Sequence, residues 1–164
     1  MTAQPDSGNK PRPAGPPTNR KASSRSRGRR RALDVLFEAD QRRLDISRLA
    51  AERLEGESPV TEYARRVVAG VAANLTSIDE TLETYSLGWP LARMPAVDRA
   101  IARLGVHEIV WADDVPDPVA MADAADMASE LSTPKSADFL SGLLGRISAM
   151  KSGMAPASQP AEPD

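Results

Sequence analysis

Between Tyr63 and Leu82 apolar residues return every three or four positions: Tyr63, Val67, Val71, Leu75, Ile78 and Leu82. That period is the helix repeat, and it places all six side chains on one face. No stretch alternates apolar and polar residues long enough to make a strand. Helices packed on helices are then the architecture open to the chain. Composition agrees: aromatics are only 4% of residues, while Ala, Leu and Arg are abundant. Those three lose little on entering a helix. The sequence predicts an all-α protein, a helical bundle of about six or seven helices with short connections.

Breakers and caps divide the pattern. Helices are predicted over about 27–42 and 46–54. A continuous apolar face then runs from Pro59 to about Tyr85, and "GWP" at 88–90 interrupts it. Val97, Ile101, Leu104 and Ile109 carry the next helix, after Pro95. Ser58 is a predicted N-cap, with Pro59 at the first helical position, where a missing N–H costs nothing. Asp117 before Pro118 and Thr133 before Pro134 read as the same device, the latter opening a last helix with Phe139, Leu143, Leu144 and Ile147 inward. Residues 1–24 and 151–164 are rich in Pro, Gly, Ser and charge and poor in apolar side chains. Such segments bury too little surface to offset chain entropy, so both are predicted to be disordered tails. One folded domain over 25–150 remains.

The net charge of −2 conceals a division: residues 1–31 carry +8 and the remainder −10. A basic arm on an acidic body points to a polyanion partner. Absence of cysteine excludes disulfides, thiolate metal sites and a Cys nucleophile, and fits a cytoplasmic location. No apolar run approaches the ~18 residues of a membrane span. The polar N-terminus lacks the apolar core of a secretory signal.

Catalytic chemistry is not indicated. The single histidine, His107, lies inside the apolar segment "RLGVHEIVW" with no nucleophile or second ligand nearby. A packed histidine is expected. Asp113, Asp114 and Asp117 lack calcium-loop spacing and read as turn residues. No phosphate-cradling glycine loop is present. No enzyme activity, metal or cofactor is predicted.

The chemistry-bearing feature is "RSRGRRRALDVLFEAD", from Arg25 to Asp40, with five arginines in its first seven residues. Arginine offers a planar fork of donors suited to phosphate and stacks on bases. On a helix Arg27, Arg30 and Arg31 share a face, while Leu33, Leu36 and Phe37 turn toward the body. Positive charge at a helix N-terminus opposes the helix dipole, which an arriving anion would relieve. Fold and charge leave two classes open: a nucleic-acid-binding protein, or a helical dimerisation or adaptor module with an incidental basic tail. A base-reading helix-turn-helix is not apparent.

"RRRALDVLFEADQR" resembles the first helix of the bacterial NusB family. "VVAGVAANLTSIDETLETYSLGW", "MPAVDRAIARLGVHEIVWADDVPDPVAMADAADMASELST" and "ADFLSGLLGRI" resemble its later helices in order. The similarity spans about residues 25–150. It implies two helical halves and a transcription antitermination factor. Such a factor binds the boxA element of ribosomal RNA leader transcripts, with the ribosomal protein NusE as partner. NusA, NusG and RNA polymerase complete the assembly. By the resemblance Arg25, Arg27, Arg29, Arg30 and Arg31 form the RNA-binding arm, with Tyr85 and Arg93 near the RNA path. Phe37, Asp98 and Phe139 fall on the NusE-facing surface. Some members dimerise, so a homodimer covering the RNA site is a further reading. NusB-like domains also front ribosomal RNA cytosine methyltransferases, which here would require a separate catalytic protein. The chain departs from the family at the last helix. The usual Phe-Val-Asn-Gly is Phe139-Leu140-Ser141-Gly142, and Asp138 replaces a frequent basic residue. Gly142 is expected to permit close helix packing.

Overall fold

The computed structural model describes residues 20–154, with the side chains of 24–151. The expected disordered tails, 1–24 and 151–164, lie largely outside the described residues; their described parts, 20–24 and 151–154, are helical instead. Seven helices follow in order: α1 (Arg20–Arg42), α2 (Ile46–Arg53), α3 (Pro59–Ala73), α4 (Leu75–Tyr85), α5 (Ala96–Trp111), α6 (Asp117–Leu131) and α7 (Pro134–Met154). A single 3₁₀ turn, Leu91–Arg93, precedes α5. No strand occurs among the described residues. α1 begins ahead of the expected Arg27. No proline lies between Pro17 and Arg27, so none blocks the earlier turns.

α1, α2 and α3 pack together as one half, and α4 to α7 form the other. α5 joins them, touching α1 and α3 on one side and α4, α6 and α7 on the other. That position explains why Ile101, Ala102, Leu104, Val106 and Ile109 are all at most 1% exposed. Gly105 lets α7 approach closely: a Cβ there would lie 2.8 Å from Leu144 Cδ1. The expected packing glycine, Gly142, is instead exposed, and a Cβ there would meet only Arg146 Nη1 at 3.4 Å.

Ion pairs fix α1 against α5 at two places. Arg29, midway along α1, meets Glu108 near the end of α5. Asp40 near the end of α1 meets Arg99 at 2.7 Å and Arg103 at 3.4 Å. The two helices therefore run antiparallel.

Two caps read from sequence are present: Ser58 accepts from Thr61 N at 3.1 Å, and Thr133 accepts from Ser136 N at 3.0 Å. Two local expectations are corrected. The face from Pro59 to Tyr85 is two helices, broken at Asn74. There the Asn74 Nδ2 group donates to the Gly70 carbonyl at 2.9 Å, and the backbone departs to φ −117 and ψ 17. An Asn side chain competes with the backbone for helical carbonyls in this way. Leu75, Ile78 and Leu82 still face inward after the break. Asp117 is not a cap either. It is the first residue of α6, and its carboxylate accepts from Ser148 Oγ at 2.6 Å and Lys151 Nζ at 2.8 Å on α7.

Candidate nucleic-acid interface

α1 presents two faces. Ala32, Leu33, Val35, Leu36 and Ala39 are buried. Arg27, Arg30, Arg31, Asp34 and Phe37 form an outer stripe that is exposed or half-buried. The expected face of Arg27, Arg30 and Arg31 is therefore real, and the apolar side of the helix holds it against the body. Phe37, expected to turn toward the body with Leu33 and Leu36, is instead 39% exposed and continues the outer stripe two turns beyond Arg30, since its position seven residues on falls on the same side of the helix.

The outer arginines differ in their surroundings. Arg27 is exposed. Arg30 pairs with Glu130 on α6. Arg31 donates to Thr61 Oγ1 and, at 3.4 Å, to the Arg53 carbonyl. Arg25 donates to the Asp114 carboxylate at 2.8 Å and to the Asp114 carbonyl at 3.2 Å. Exposed pairs of this kind contribute little to stability and exchange readily with other anions.

Arg29 departs from the expectation. It lies on the inner stripe with Ala32 and Leu33 and is 2% exposed. Its Nε and Nη2 grip Glu108 at 2.6 and 2.9 Å, and Nη1 reaches Asp123 at 3.0 Å. Nη2 also donates to Tyr63 Oη at 3.2 Å, and that hydroxyl donates to Glu108 at 2.8 Å. Burial alone would lower the Arg29 pKa; the bond and charge of Glu108 more than offset this, so it is raised. Every one of its nitrogens is engaged inside the protein. Its function here is to anchor the arginine-bearing helix.

Asp98 is corrected for a similar reason. It sits in the first turn of α5 with no exposed surface. Its Oδ2 accepts from Ser136 Oγ at 2.6 Å, tying the start of α5 to the start of α7. It is not a surface acid. Phe139 is half-buried and packs edge-on against Trp89, with ring centroids 4.8 Å apart.

Tyr85 and Arg93 are not brought to the arm. Tyr85 ends α4, and its carbonyl accepts from Arg146 of α7 at 3.2 Å. Arg93, exposed, closes the turn just before α5. Arg25 instead pairs with Asp114, beyond the far end of α5. At 1.5 Å per residue α5 separates the two places by about 24 Å.

Sequence reasoning missed Tyr63, Arg66, Glu108 and Asp114. The Tyr63 ring lies among the guanidinium groups of Arg25, Arg29 and Arg66, at 5.2, 5.4 and 5.1 Å from its centroid. Burial, reinforced by Glu108, pushes the Tyr63 hydroxyl up to about 12. Arg66 donates to Asp114 at 2.8 Å. Slight burial raises the Asp114 pKa, but Arg66 and Arg25 outweigh it and hold the carboxyl below its ordinary value. One signal was available. An acid inside an apolar helix, as Glu108 is in "GVHEIVW", demands a buried cation. His107 is packed as expected, its ring against Gly70.

A family model described as the NusB family matches residues 26–149. The chain belongs to the NusB family. Curated relatives match it along most of their own length. The transcription antitermination protein NusB of Kineococcus radiotolerans is 52% identical over 79% of this chain and 96% of its own. The protein of the same name from Beutenbergia cavernae is 50% identical over 76% of this chain and 89% of its own. Among solved structures, NusB of T. maritima superposes with a TM-score of 0.71 at 32% identity, over 76% of this chain and 90% of that one. A crystal structure of antitermination factors NusB and NusE in complex with dsRNA superposes with a TM-score of 0.68 at 23% identity, over 77% of this chain and 97% of that one. The last likeness attests the NusB fold alone. No described helix is long and apolar enough to cross a membrane.

Proposed function

We propose that this NusB-family chain is a cytoplasmic, non-enzymatic transcription antitermination factor. It binds the boxA element of ribosomal RNA leader transcripts together with the ribosomal protein NusE. The pair then joins NusA, NusG and RNA polymerase. The observation that carries the reading is the outer stripe of α1. Arg27, Arg30 and Arg31 project at helical spacing from a helix whose other face is locked into the core. Single-stranded RNA is recognised by such arginine forks and stacking surfaces. Phe37 on the same stripe serves as the NusE contact, and Phe139 with Trp89 as a second apolar contact. Tyr85 and Arg93 take a more distant part of the RNA.

The test is a titration of a labelled boxA-type RNA, with and without NusE, at two salt concentrations. Binding should tighten with NusE and favour the intact element over a scrambled one. Weak, sequence-blind binding that ignores NusE would replace this reading with a helical adaptor or dimerisation module. Asp138 and Ser141 on α7 are the departures that would account for such a loss.

A further inference from the structure

We propose that Arg25 and Arg66 form a clamp for one phosphate of the bound RNA, and that Asp114 occupies this clamp in the free protein. The proposal rests on the RNA-binding reading above and adds to it a residue, Arg66, that lies on α3, outside the basic arm.

The geometry is convergent. Arg25 Nη2 and Arg66 Nη2 both lie 2.8 Å from the same oxygen, Asp114 Oδ2. A phosphate oxygen accepts from guanidinium groups in the same geometry as a carboxylate oxygen. Both arginines rest on the Tyr63 ring, at 5.2 and 5.1 Å from its centroid. The aromatic face therefore holds two like charges together, and the anion keeps them there. Tyr63 is itself fixed from below by Glu108.

The carboxylate is a replaceable occupant. The Arg66 and Asp114 side chains are 58% and 46% exposed, so water competes for the contact on every side. Ion pairs this open are weak. A phosphate carried on RNA brings further contacts along α1 and displaces it. Asp114 lies in the turn between α5 and α6, where its side chain can swing outward without disturbing either helix.

Space for the rest of the nucleotide lies alongside. A cavity of about 600 Å³ opens beside the clamp, lined by Arg25, Asp114, Val115, Pro118, Val119 and Asp126. Asp126 makes the cavity unfavourable for phosphate. Asp114 is held by Arg25 and Arg66, and Asp123, also on the cavity wall, by Arg29, so the mostly apolar lining and the remaining carboxylate suit a base, whose amino group would donate to Asp126.

The experiment measures boxA-type RNA binding across a salt series for the wild type, Arg66→Ala and Asp114→Asn. Arg66→Ala should lower the slope of log K against log salt by about 0.7, the share of one phosphate on a single strand. Asp114→Asn should tighten binding about three- to tenfold, since a competing anion is gone. An unchanged slope overturns the clamp, and an unchanged or weaker affinity of Asp114→Asn overturns the competition. Should the wild type not bind the RNA at all, the functional reading fails first. The clamp is then probed with inorganic phosphate, by the NMR shifts of the Arg25 and Arg66 Nε–H groups. Movement in the wild type keeps the anion site, and its absence removes it.

Discussion

Arg29 and Glu108 form a two-pronged ion pair, 2.6 and 2.9 Å, with side chains only 3% and 1% exposed. Removing one partner of such a pair strands a charge in the core, which costs about 3–5 kcal/mol. Glu108→Gln should therefore lower stability by that amount in denaturant unfolding. Asp123 remains to hold part of the charge, so the lower end is expected. The double variant Arg29→Met, Glu108→Leu should recover part of the loss. A Glu108→Gln protein as stable as the wild type would show that the pair does not anchor α1.

Outer arginines should behave in the opposite way. Replacing Arg27, Arg30 and Arg31 with Ala should weaken RNA binding and flatten its salt dependence, by about 0.7 in slope for each lost phosphate contact. Stability should change by less than about 1 kcal/mol, as for exposed positions. Circular dichroism melts and salt-series titrations report the two effects separately. A collapse of the melt would make the stripe structural.

Tyr63 should titrate late. Burial first, and then the Glu108 charge, push its hydroxyl from 10.0 up to about 12. A group raised in the folded state keeps its full contribution below the unfolded value. Stability should thus fall as pH rises from about 10 to about 12. Ultraviolet titration should show a tyrosine step near 12 that Tyr63→Phe abolishes. Its persistence in that variant would assign it elsewhere.

His107 carries the acid-side counterpart. Burial lowers its pKa below 6.5; Glu108 opposes this and Arg66 assists it. The unfolded chain then takes up a proton before the folded one, so stability is retained above 6.5 and lost as pH falls through the folded value. The imidazole Cε1–H resonance should titrate with a midpoint under 6.5. A midpoint at or above it would contradict the burial.

Gly70→Ala tests the packing beside that ring. A Cβ there would fall 2.0 Å from His107 Cε1, so ring or helix must move. Overpacking of this kind costs about 1–3 kcal/mol. Adding His107→Ala should return part of it. An undiminished melting temperature for Gly70→Ala alone would show that the ring swings away freely.

Local features were legible because their causes are local. Ser58 and Thr133 cap helices through atoms three residues away, and each could be read from the chain. Leu33 and Leu36 were read as inward from helical period and are buried, whereas Phe37, read with them, faces out. Asn74 broke a face that looked continuous, because an amide competing for a carbonyl leaves the apolar spacing intact. Asp117 looked like a cap until Ser148 and Lys151, from another helix, claimed its oxygens.

The candidate site divides along the same line. Period and composition were enough to place an arginine-rich stripe on the first helix of an all-helical protein. The absence of cysteine also excluded disulfides. Which arginine faces a ligand and which is sealed inside was decided by the packing of distant helices. Arg29 is buried because Glu108, 79 positions away, arrives beside it and satisfies its charge. Asp98 is buried because α7 brings Ser136 to it from 38 positions away. Hydrogen bonds within a helix depend on neighbours three and four residues apart. Desolvation of a charge depends on everything that closes around it, and only the tertiary structure brings those groups together.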